Sequence, residues 1–89
     1  MDIDKIQRII NQTEAYIAKQ EAAHRVSMTA VYALSSDVDI IWDACDEVIE
    51  EAEANGWAYH LSVAERQYKE ANALAARLGA LHVRRLAAR

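Results

Sequence analysis

Apolar side chains recur at helical spacing along nearly the whole chain, with polar residues filling the positions between them. The clearest stretch runs Val38, Ile41, Trp42, Cys45, Val48, Ile49 and Ala52, in steps that place all seven on one face of a helix with carboxylates opposite. A second stripe follows: Leu61, Ala64, Tyr68, Ala71, Leu74, Ala75, Leu78 and Leu81, widened toward its end by Ala76, Ala80, Val83 and Ala87. No proline and only two glycines interrupt the 89 residues, so the pattern predicts an all-α fold.

Two punctuations divide the pattern. Asn55-Gly56 reads as a helix C-cap and turn, because both residues tolerate the left-handed conformation; Ser35-Ser36-Asp37 reads as a break, with Ser36 and Asp39 spaced like a capping box. The expectation is one domain over residues 1–89: a small bundle of three helices at about 2–34, 36–54 and 58–87, a long N-terminal helix followed by a helical hairpin. A later start for the third helix is marked by Ser62 with Glu65 three residues on. At ~1.5 Å per residue the first helix would span about 48 Å against roughly 27 Å for the second. Either the first helix breaks, giving four shorter helices, or its far end packs on a second subunit. Its apolar stripe is weakest between Ala18 and Ser27.

Composition sharpens this. Hydrophobic residues make up 53% of the chain, but 18 of them are alanine, which buries little area. A chain short of large apolar side chains completes its core across a subunit interface, so a homodimer is expected. Ala71, Ala75 and Gly79 recur every four residues as a ridge of small side chains that suits close helix packing, inside one chain or across a dimer. With Leu78 and Val83 they form the candidate oligomer interface.

Charge is segregated. Residues 1–36 balance four acids against four bases; residues 37–61 carry eight carboxylates and no Lys or Arg; residues 62–89 carry six bases and two acids. One reading is attraction between helices 2 and 3, with Arg84, Arg85 and Arg89 favourable at a helix C-terminus. A second is a docking surface for a basic protein partner, formed by Asp39, Asp43, Asp46, Glu47 and Glu50 with Trp57 beside the turn. A third is a carboxylate row that imitates a nucleic-acid backbone, as small phage-encoded inhibitors do. The net charge of −4 and pI near 5.2 argue against direct nucleic-acid or anionic-membrane binding. No apolar run is long enough for a membrane span, and Asp2 and Asp4 do not suit a signal peptide. The expected location is the cytoplasm, consistent with a single cysteine.

Several constellations bear on chemistry. Glu21 and His24 have the E-x-x-H spacing used in di-iron bundles, against which stands a simple pairing of Glu21 with Arg25. Asp43, Asp46, Glu47, Glu50 and Glu53 have spacings able to hold magnesium. They are similar to the E-x-x-E half of the acidic signature in all-α nucleoside triphosphate pyrophosphatases, a resemblance that implies metal-dependent nucleotide hydrolysis; the matching E-x-x-D is missing from helix 3, which has only Glu65 and Glu70. His24-Arg25-Val26 resembles the start of the H-R-V-K-N core of sensor-kinase phospho-accepting helices, with Ser27 and Met28 in place of Lys and Asn. His60 and His82 lack ligand partners at metal spacing, and Cys45 lies within an apolar stripe. The combined expectation is a non-enzymatic helical interaction module, with no metal site and no cofactor, acting as a homodimeric regulator or inhibitor of a protein partner. The competing class is the small nucleotide pyrophosphohydrolase.

Overall fold

The computed structural model describes residues 1–88 as three helices, α1 (Ile3–Ala22), α2 (Met28–Asn55) and α3 (Ala58–Ala87). Among the described residues there is no strand, and no helix is long and apolar enough to cross a membrane. The all-α, three-helix expectation holds.

The first boundary is displaced. Ser35 and Ser36 lie inside α2, where their hydroxyls donate to the carbonyls of Val31 and Tyr32 at 2.8 and 3.2 Å instead of capping anything. The break falls between Ala22 and Met28, in the weak part of the apolar stripe. There Ser27 caps α2 through its hydroxyl, which accepts from the Ala30 N–H at 3.2 Å, and Gln20 accepts the N–H of Ser27 at 2.9 Å. The N-terminal helix is therefore the shortest of the three, not the longest. The second turn is where Asn55-Gly56 predicts it: Gly56 has φ 68°, and the N–H groups of Gly56 and Trp57 both reach the Ala52 carbonyl. α3 begins directly after Trp57, not at Ser62.

Each helix buries a line of residues in alternating steps of three and four. On α1 these are Ile3, Ile6, Ile10, Thr13 and Ile17; on α2 Val31, Leu34, Val38, Ile41, Cys45, Val48 and Ala52; on α3 Ala64, Gln67, Ala71, Leu74, Leu78 and Leu81. A 3.5-residue repeat is that of a left-handed coiled coil, in which the seam stays turned to its neighbours over the full length. Apart from Ala52, the apolar members of the three lines close on one core. The isoleucines of α1 supply volume, and the wholly buried Ala64 and Ala71 let α3 come close.

Contacts between α1 and α3 advance together along both chains. Gln7 meets Glu70 at 3.4 Å, Glu14 meets Arg77 at 3.5 Å, and Arg84 donates to the Glu21 carbonyl at 2.9 Å. The two helices thus run parallel and α2 packs antiparallel to both, in a rod measuring 51 × 17 × 16 Å. Gln67 donates to the Ile3 carbonyl at 2.8 Å, which sets the start of α1 level with Gln67. The α2–α3 hairpin projects beyond that level by about 14 Å, taking ~1.5 Å per residue of α3.

Candidate functional site

The heptad line of α2 determines where its carboxylates point. With Val38, Ile41, Cys45 and Val48 turned inward, Asp39, Asp43, Asp46, Glu47 and Glu50 fall on the opposite side, and all five are exposed. Asp39 and Asp46, like Asp43 and Glu50, are seven residues apart, so they form one straight row over about 16 Å at ~1.5 Å per residue.

No carboxylate of α2 takes part in an ion pair among the described residues. Both ion pairs run from Arg77 of α3 to α1: to Glu14 at 3.5 Å and to Glu21 at 2.6 Å. Arg84 also turns to α1, donating to the carbonyls of Glu21 and Ala23, where the helix has run out of internal donors. Attraction between α2 and α3 is thus not made by ion pairs; Arg77 and Arg84 of α3 serve the α1 seam, while Lys69 shares a depression with Asp46 without pairing with it, and the acidic row is left exposed.

The outer seam between α2 and α3 is held by aromatic residues. Trp42 donates its indole N–H to Asn72 at 3.0 Å and lies 6.4 Å from the Tyr68 ring; nearer the other end Tyr32 meets His82 edge-on at 6.3 Å. Trp57 is different. It is 45% exposed at the tip of the hairpin, 5.6 Å from the His60 ring, with Tyr59 beside it 71% exposed. Ala52, Glu53, Gly56, Trp57, Ala58 and Leu61 line a shallow depression of about 290 Å³ there. Glu53 lines this depression and Tyr59 meets the His60 ring at 5.8 Å; the apolar periodicity singles out neither, and the signal for them was their closeness to the Asn55-Gly56 turn.

The small-residue ridge is divided by the structure. Ala71 and Leu78 are buried in the chain's own core, and Ala75 packs against it, so these positions are already used within one chain. Gly79 and Val83 are exposed, as are Ala76, Ala80 and Ala87. Arg89 lies outside the described residues.

The chemical constellations come apart. α1 ends at Ala22, so Glu21 and His24 do not share a helical face, and Glu21 pairs with Arg77, not with Arg25. Among the described residues no three His, Cys, Asp or Glu side chains converge on a point where a metal ion could sit. Cys45 is fully buried, and that burial, with Asp46 and Glu70 nearby, pushes its thiol up to about 11. The chain matches no protein-family model, no curated protein and no solved structure.

Proposed function

We propose that this protein is a helical interaction module that docks a basic protein partner on the acidic row of α2. The observation that carries this reading is the exposure of Asp39, Asp43, Asp46, Glu47 and Glu50, none of which forms an ion pair among the described residues, while Arg77 of the neighbouring helix pairs with α1. Packing needs no carboxylate at those positions, and like charges three and four residues apart weaken the helix. A row of this kind raises the association rate with a positively charged surface and screens out acidic ones. Metal-dependent hydrolysis needs carboxylates turned toward a shared centre; these five point outward. The lone, buried thiol of Cys45 suits the reducing cytoplasm.

The direct test is a triple charge reversal, Asp43→Lys, Glu47→Lys and Glu50→Lys, compared with the parent chain in capture of partners from lysate of the source cells. The variant should retain its helical content and lose the captured protein. Equal capture by both would remove the docking reading.

Self-association is a second reading, favoured by the apolar exposed side of the C-terminal half of α3, where Ala76, Ala80, Val83 and Leu86 face solvent. Light scattering at low and high salt decides it: a dimer that persists in salt supports a packed apolar contact, and a monomer at every concentration removes it.

A further inference from the structure

The free end of the hairpin concentrates features that folding does not call for. α1 and α2 are capped by the side chains of Asp2 and Ser27, whereas α3 starts at Trp57, which makes no side-chain cap and leaves nearly half its surface in water. The helix dipole favours cations at a helix C-terminus, and α1 and α3 comply with Lys19 and with Arg84 and Arg85. α2 does the reverse. Its last two turns hold Glu50, Glu51 and Glu53 and no base, so carboxylates crowd the negative end of the helix. No Lys or Arg occurs between Arg25 and Arg66 to relieve them. Local rules broken together at one exposed place, with no ion pair to offset them among the described residues, mark a place that serves something other than the fold.

We propose that this tip binds a single arginine or lysine side chain of a basic protein segment, seated on the Trp57 ring and paired with the Glu53 carboxylate. The inference rests on the docking reading and names its anchor point. Trp57 and Glu53 line the same depression, so a cation there has an aromatic residue and an opposite charge within one site. It also lies at the negative end of α2, whose carboxylates form no ion pair among the described residues. Arginine fits better than lysine, because its planar guanidinium stacks on the indole while its edge donates to a carboxylate. An anion drawn to the start of α3 would have to enter beside the carboxylates of α2, which oppose it.

Nuclear magnetic resonance on the ¹⁵N-labelled chain tests this, because the two tryptophans give two indole signals and only Trp57 should respond. The probes are capped ten-residue peptides of alternating Arg and Gly, of Lys and Gly, and of Glu and Gly, at low and at physiological salt. The Arg peptide should shift the Trp57 indole and the amides of 53–61 and leave the Trp42 indole in place; the Lys peptide should bind more weakly and the Glu peptide not at all. Trp57→Ala and Glu53→Gln, each with parent-like circular dichroism, should weaken the Arg peptide at least fivefold. Shifts confined to Asp39–Glu47, or undiminished binding by Trp57→Ala, would overturn the tip as the anchor while leaving the docking row standing. No shift with any peptide would also overturn it, and partner capture by the charge-reversed triple variant would still judge the docking reading separately.

Discussion

Arg77 and Glu21, 56 residues apart in sequence, are joined by two hydrogen bonds, from Nε at 3.1 Å and from Nη2 at 2.6 Å. The same guanidinium reaches Glu14, so one cation ties two successive heptads of α1 to α3. The Arg77 hydrogen bond is the main reason that Glu21 titrates below the ordinary glutamate value of 4.5. A depressed folded-state value means the pair contributes fully above the unfolded value and loses its contribution as pH falls through the folded one. Urea midpoints measured from pH 7 down to pH 3 should therefore drop in the parent chain. The drop should be shallower in Arg77→Met, whose midpoint at pH 7 already starts lower. Parallel curves would show that the pair does not couple folding to pH.

Gln67 is a polar residue on a core line, 1% exposed, donating to the Ile3 carbonyl at 2.8 Å and to Gln7 at 3.2 Å, while its own Oε1 has no partner among the described residues. An orphaned buried acceptor is costly, and an apolar replacement of similar shape removes it. Gln67→Leu should raise stability by about 1 kcal/mol, or roughly 4–8 °C in melting temperature for a domain of this size. Gln67→Ala, which leaves a void, should lower it by about 2 kcal/mol. A fall with leucine would mean that the two hydrogen bonds outweigh the orphan.

The two glycines should respond in opposite directions. Gly56 sits at φ 68°, so Gly56→Ala should cost about 1–2 kcal/mol from backbone strain, although a Cβ there meets nothing within 4 Å. Gly79 is helical and also open to a Cβ, so Gly79→Ala should gain up to about 1 kcal/mol in thermal melts of the monomer. If light scattering finds a dimer, a loss of dimer in Gly79→Ala would assign that glycine to a close helix contact between copies.

Cys45 should be inert to Ellman's reagent at pH 8 in the folded protein, since the thiol is both buried and pushed up to about 11. Its reaction rate across a urea series should follow the unfolded fraction. Fast labelling in the absence of denaturant would show that α2 opens locally.

What could be read from the chain divides by range. The stripe from Val38 to Ala52 and the cap at Asn55-Gly56 are local, and both appear where periodicity and turn chemistry put them. Ser36 misled because a serine inside a helix and one that caps it look alike until it is known which carbonyl or N–H lies within reach. Ser27, the actual cap, was hidden by the basic and small residues around it. Gln67 escaped because its polarity disguised a core position, and only the arrival of Ile3 from the other end of the chain explains it. The outward direction of the α2 carboxylates was legible from spacing alone. That α3 would spend Arg77 and Arg84 on α1, and leave those carboxylates unpaired, depends on helix order in space.

The segregation of charge along this rod makes the protein a large permanent dipole, with eight carboxylates over residues 37–61 set largely toward the hairpin end and Arg84 and Arg85 at the other. At a few molar-tenths of salt the Debye length is under ~10 Å, shorter than the rod, so a charged surface senses one end and not the molecular sum. On an anion-exchange resin the chain should therefore adsorb hairpin end first and elute later than a protein whose net charge of −4 is spread evenly.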